Sequence, residues 1–160
     1  MPPTTPYTPD LADRDPIQVL REMPHRIQVL TGGWTAAQFD RTYAPGKWTA
    51  RQIVIHLAQT ELALGTRARM ALTTSSYAAQ VFNQDQWMAR ESVLGGKDAL
   101  EALVAVSVMN RVFFESLSAA DRAVGFTHPE YGALTVDWII HLMAGHQVHH
   151  LKQLEEIATR

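Results

Sequence analysis

Residues 141–155 read HLMAGHQVHHLKQLE, and the spacing inside and around them decides the fold. On an α-helix each residue advances by about 100°, so positions four apart lie nearly above one another. On that wheel Ile139, Met143, His146, His150, Leu154 and Ile157 share one stripe roughly 80° wide. Its apolar members mark the stripe as core-facing. The segment is therefore a helix that carries two histidines, His146 and His150, toward the interior. His149 lies roughly 60–100° to one side, and His141 lies near the opposite face.

The rest of the chain keeps the helical interval, and no segment alternates strictly in the manner of a half-buried strand. DPIQVLREMPHRIQVLTGG (residues 15–33) places Ile17, Leu20, Ile27 and Leu30 at helical spacing. Pro24 is expected to break or kink it into two short helices. TAAQFD (35–40) predicts a single turn, with Thr35 and Gln38 spaced as a capping box. A second capping box, TARQ, opens a long helix at Thr49 that runs to about Thr73. Residues 73–96, TTSSYAAQVFNQDQWMARESVLGG, have weak periodicity and form a long connection, a kind of segment often used as a pocket wall or lid. The third long helix opens near Asp98, with Glu101 three residues on, and reaches about Leu117. THPEYGAL (127–134) reads as a turn-rich loop, and the last helix starts near Thr135. The expectation is an all-α, four-helix bundle with a long connection between helices 2 and 3. Residues 16–160 form one domain, and the proline-rich residues 1–15 form an extended N-terminal arm.

Composition narrows the function classes. Fourteen Lys and Arg against sixteen Asp and Glu leave a net charge of −2, with no dense basic run. That argues against a nucleic-acid partner, which requires a basic face to neutralise phosphates. The chain has no cysteine, so disulfides, thiolate zinc sites and cysteine nucleophiles are excluded. No apolar run approaches the roughly 18–20 residues that span a bilayer, and the start lacks a signal-peptide pattern. The expectation is a cytoplasmic protein with no membrane partner.

His146 and His150 stand at the His-x3-His spacing of a helical metal chelate, two imidazoles projecting from adjacent turns. Gln147 occupies the place of the Glu that follows the first His in zinc proteases, so their water-activating base is missing. The spacing alone also suits two core histidines satisfied by backbone carbonyls. His56 shares its helix face with Gln52, Ile53, Thr60 and Ala63, again partly apolar. Three imidazoles from two facing helices would leave a coordination position open, the mark of a catalytic site. Three unrelated core histidines are the rival reading. Imidazoles suit zinc, nickel, copper and iron alike.

Larger motifs carry a resemblance. YAPGKWTARQIVIHL (43–57) is similar to YR-x-GGWT-x-RQ-x-x-x-HL, VFNQDQW (81–87) to PYDE-x-x-W, and NRVFFESL (110–117) to RW-x-x-x-x-SL. FTHPEYGALTV (126–136) is similar to an HP-x-x-G loop, and HQVHHLKQLE (146–155) to the last-helix histidine motif. Together, over about residues 7–158, they resemble the DinB/YfiT-like superfamily, described as metal-dependent hydrolases and also associated with bacillithiol- and mycothiol-dependent S-transferases. The resemblance implies a four-helix bundle whose divalent metal, zinc or nickel, is held by His56, His146 and His150. It implies a small-molecule substrate, a low-molecular-weight thiol as a second cofactor, and a homodimer. The chain also departs from the pattern: IHLAQTE replaces HHLADSH at Ile55 and Gln59, and Asn83 and Gln84 replace two carboxylates.

These departures bear on mechanism. A hydrolase needs a base near the metal, and the nearby stretches supply Gln52, Gln59 and Gln147; Glu61, about 140° from His56 on the wheel, is a poor candidate. A transferase needs less, because a metal-bound thiolate is already deprotonated. Arg111, on a stripe with Leu100, Val104, Ser107 and Phe114, is a candidate to hold the cofactor's carboxylates from inside the bundle, unless it pairs with a bundle carboxylate. His149, Gln59, Gln147, Asn83, Gln84, Trp87 and His128 are the other residues expected to support the metal or line its pocket. The expected function is a metal-dependent thiol S-transferase or hydrolase. The alternative is a non-catalytic, metal-binding, dimerising stress protein.

Overall fold

The helices begin where their caps are written. In the computed structural model, which describes residues 2–160, a first turn α1 (Thr8–Leu11) precedes α2 (Pro16–Thr31), capped by the Asp15 carboxylate on the Ile17 and Gln18 amides. The single turn α3 (Ala36–Phe39) and the long α4 (Ala50–Thr73) both open with the expected reciprocal capping boxes, Thr35 with Gln38 and Thr49 with Gln52. A short α5 (Gln84–Glu91) interrupts the long connection, and α6 (Gly96–Glu115) starts two residues before Asp98. After α7 (Ala119–Arg122) come strands β1 (Gly125–His128) and β2 (Gly132–Thr135), then α8 (Val136–Ala158), capped by Thr135.

α2, α4, α6 and α8 form the bundle. α4 lies between α6 and α8, and α2 packs on the same two from the other side. The stripe expected to face inward does so: Ile139, Met143, His146, His150, Leu154 and Ile157 are all buried. Among the described residues no helix is long and apolar enough to cross a membrane.

Two expectations are corrected. α2 runs through Pro24 as one helix instead of two. An interior proline costs about 3 kcal/mol, but Val19, Leu20, Met23, Pro24 and Ile27 are all buried, and burying such aliphatic side chains contributes roughly 1.5–3 kcal/mol each. Packing therefore carries the helix across the missing hydrogen bond. The turn-rich loop is an antiparallel hairpin that pairs Phe126 with Leu134 and turns at Gly132, where φ is +72°. Its Thr127 also bonds the Tyr77 carbonyl and the Ala79 amide at 3.1 and 2.8 Å. This fastens the long connection to the hairpin, and both segments come to lie beside the histidines.

Candidate metal centre

α4 brings His56 and α8 brings His146 and His150 to one point. The His146 Nε2 lies 2.9 Å from His56 Nε2 and 3.0 Å from His150 Nε2, and all three rings are buried. Hydrogen bonding alone does not explain the arrangement. A neutral imidazole has one N–H and one lone pair, and the His150 Nδ1 lies 2.7 Å from the Gln153 Oε1, an acceptor. The His150 proton is thus assigned to Nδ1 by its partner, leaving Nε2 as a lone pair. His146 Nε2 cannot make a full hydrogen bond to both neighbours. A cation resolves the conflict: bonds of about 2.1 Å at angles of 90–109° place adjacent nitrogens about 3.0–3.4 Å apart. The donor set fits a divalent metal.

Electrostatics favours the ligating form. Burial, reinforced by the neighbouring His150, lowers His56 to about 3, and burial lowers His150 to about 4. His146 falls well below its ordinary value, with burial the largest cause and the other histidines adding to it. All three are neutral at physiological pH, as metal binding requires.

A hydrogen-bond chain fixes the His150 tautomer. The Gln153 amide nitrogen faces His149 Nε2 at 3.2 Å, so the His149 proton sits on Nδ1, 3.1 Å from the Asp10 carboxylate. Asp10 is also bonded by Lys152 at 2.7 Å. The chain from Asp10 through His149 and Gln153 to His150 is anchored on the N-terminal residues, which lie along α8. Gly145 permits this approach, since a Cβ there would come within 2.6 Å of the Tyr7 carbonyl oxygen. The Tyr7 ring then packs edge-on against His146, with centroids 5.0 Å apart. Partners of this kind are worth 10–100-fold in metal affinity. Gln153→Leu should therefore weaken metal binding by about that factor, read by competition with a chromophoric chelator. Unchanged affinity would mean that the chain does not orient His150.

Two hollows meet at the triad. One, of about 280 Å³, is bounded by His56 and His146 and by Tyr7, Leu64, Arg67 and His128. The other, of about 260 Å³, is bounded by His150 with Tyr43, Lys47, Trp48, Asp85 and Gln153. Gln84, at the start of α5, borders both. The Trp48 ring centroid lies 4.7 Å from that of His56, and Phe82 stacks on His56 at 6.3 Å.

The remaining predicted residues divide. His128 is buried in the larger hollow, and Trp87, partly exposed, packs edge-on against Phe82 at 4.9 Å. Asn83 caps α5 by accepting from the Gln86 amide. Gln59 turns away to donate to Glu91 at 2.8 Å, and Gln147 donates to Glu61. Arg111 is not inside the bundle: it pairs with Glu115 at 3.0 Å near the surface, where Arg21 joins the same carboxylate. The cations that border the two hollows are instead Arg67, in the hollow of His56 and His146 and eleven residues beyond His56 on α4, and Lys47, in that of His150. The interval from His56 to Arg67, three helical turns, was the one signal in the sequence that could have found Arg67. Glu61, the poor candidate for a base, borders neither hollow; it is buried on α4 and bonded to α8 through Gln147, the neighbour of a candidate ligand.

Comparison with known proteins agrees with this geometry. Residues 20–154 match the family model described as the DinB superfamily. The Bacillus subtilis protein YfiT, named as an inferred metal-dependent hydrolase, is 26% identical over 90% of this chain and 83% of its own. A protein of Oceanobacillus iheyensis with the same inferred class is 24% identical over 90% of this chain and 84% of its own. The solved structure of YfiT, described as an unusual four-helix bundle topology, superposes with a TM-score of 0.83 at 26% identity, covering 91% of this chain and 85% of that one. A mycothiol-dependent maleylpyruvate isomerase shares the fold at 19% identity, with a TM-score of 0.68 over 94% of this chain and 63% of its own.

Proposed function

The chain belongs to the DinB superfamily, and from that premise we propose that it is a metal-dependent enzyme acting on a small molecule, with transfer of a low-molecular-weight thiol as the reaction. The observation that carries the proposal is the convergence of three neutral imidazole nitrogens where two hollows meet. His56, His146 and His150 would hold a divalent metal, which would supply Lewis acidity toward a thiol or water. The protein's own residues do the rest. Gln153 orients His150, Tyr7 packs on His146, Trp48 and Phe82 pack on His56, and two separate hollows give a thiol and an electrophile each a place.

Hydrolysis is the second reading, favoured by the names of the relatives. It is the weaker one here because the polar groups nearest the ligands in sequence are amides already engaged elsewhere: Gln59 with Glu91 and Gln147 with Glu61. No carboxylate joins the three histidines as a further ligand among the described residues, and Asp85 and Glu130 only border the two hollows. The two readings separate in a screen of electrophiles and esters, run with and without cysteine-based thiols on metal-loaded protein. Turnover that needs both thiol and metal is the expected result. Thiol-independent ester or amide cleavage would replace transfer with hydrolysis, and silence in every arm would favour a non-catalytic metal protein.

A further inference from the structure

The larger hollow is asymmetric. At one end stand His56 and His146; at the other, Arg67 and His128, both polar and partly or wholly removed from solvent. Leu64, Phe82 and Leu142 form apolar wall around the same hollow. Thr60, Leu64 and Arg67 follow His56 at intervals of four, four and three residues, so one stripe of α4 runs from ligand to guanidinium. Helical side chains lean toward the N-terminus, which on α4 is the direction of His56.

Both polar groups at the far end are donors. Arg67 forms no ion pair among the described residues, and its guanidinium donates to the Gln80 carbonyl. His128 Nδ1 accepts from the Glu130 amide at 3.2 Å, so its proton lies on Nε2. Burial and the Arg67 charge lower the His128 pKa, which keeps it a neutral donor. Glu130, exposed, is the one acidic side chain lining this hollow. It lies within electrostatic reach of Arg67 without forming an ion pair.

We propose that this hollow takes a small carboxylate, its anionic group held by Arg67 and His128 and its apolar body lying along Leu64, Phe82 and Leu142 toward the triad. The orientation toward the triad rests on the metal-enzyme reading above. A guanidinium with an adjacent neutral N–H donor matches a carboxylate oxygen pair. A volume near 280 Å³ is just below the 300–1,000 Å³ or so of drug-sized sites, which suits a compact metabolite. Glu130 makes the site discriminate by charge at its mouth.

The test titrates phenylacetate, its neutral isostere phenylacetamide and the thiol acid 3-mercaptopropionate into wild type, Arg67→Met and Glu130→Gln, each zinc-loaded and metal-stripped. Circular dichroism checks that the variants remain folded. Phenylacetate should bind wild type, weaken by about tenfold or more in Arg67→Met, and tighten in Glu130→Gln, while phenylacetamide is unmoved by either change. The same Arg67 dependence in metal-stripped protein keeps the outcome separate from that of the metal reading. If only 3-mercaptopropionate shows the Arg67 dependence, the anion held there belongs to the thiol; if phenylacetate shows it, to the electrophile. Carboxylate binding that ignores Arg67→Met, with or without metal, would overturn the proposal, as would no binding by either of the two acids.

Discussion

Replacing His56 by alanine is expected to leave the protein without metal. Wild type purified without a metal-affinity tag should carry about one divalent ion per chain by elemental analysis; the variant should carry none after dialysis. His146 and His150 lie one turn apart on α8 and remain as a pair, but the third nitrogen comes from another helix, 2.9 Å from His146. Losing a ligand itself must cost more than the 10–100-fold or so lost with an outer partner such as Gln153. A second readout follows from linkage. Anything that binds only the folded state stabilises it, by about 4 kcal/mol at a thousandfold excess over Kd. Added zinc should therefore raise the melting temperature of wild type and not that of His56→Ala. An unaltered ion content in the variant, or no ion in wild type and no shift with zinc, would remove the basis for a metal enzyme.

The convergence of His56, His146 and His150 was legible in the sequence because it depends on helical periodicity, which is local. The wheel separated His146 and His150 from His149, and a partly apolar face put His56 inward; the bundle needed only to bring α4 against α8. Helix starts at Thr35, Thr49 and Thr135 were legible for the same reason, a cap being written within four residues. What was illegible depends on distant partners. The strands of the hairpin are four residues each, too short for alternation to register, and they are held partly by Tyr77 and Ala79. Pro24 is tolerated because of what α2 packs on. Arg111 and Arg67 both sit on amphipathic helices. Which of them meets a carboxylate and which meets a cavity is decided by Glu115 on one side and by the α4–α6 connection on the other. His149 shows the mixed case: its offset from the stripe was readable, but its role required knowing that Asp10 returns to α8.

Glu61 should make stability fall as pH rises, and Glu61→Gln should remove that fall. The carboxyl is buried, accepting from Asn110 at 2.7 Å and from Gln147, while Asn110 in turn receives Arg69 at 2.8 Å. Gly65 makes room for this network, because a Cβ there would stand 2.3 Å from the Asn110 amide oxygen. Burial pushes Glu61 up to about 7, against the pull of the two hydrogen bonds. Relative to an ordinary 4.5, that is roughly 3 kcal/mol between the two protonation states. The sign is set by which state holds the proton. Between pH 4.5 and 7 the folded chain keeps it and the unfolded chain does not, so the stabilising contribution is whole below 4.5 and is lost as pH rises through 7. The three clustered histidines act oppositely in metal-free protein: all are lowered, and the stability that His150 and His56 give is full above 6.5 and lost as pH falls toward 4 and 3. Wild type alone would blend the two trends, but the variant shares the histidines. The unfolding free energy of Glu61→Gln minus that of wild type, from denaturant titrations of metal-free protein, should therefore climb by roughly 3 kcal/mol between pH 4.5 and 8.5. A difference that stays flat with pH would show that Glu61 ionises as freely when folded as when unfolded, its hydrogen bonds offsetting the cost of burying the charge.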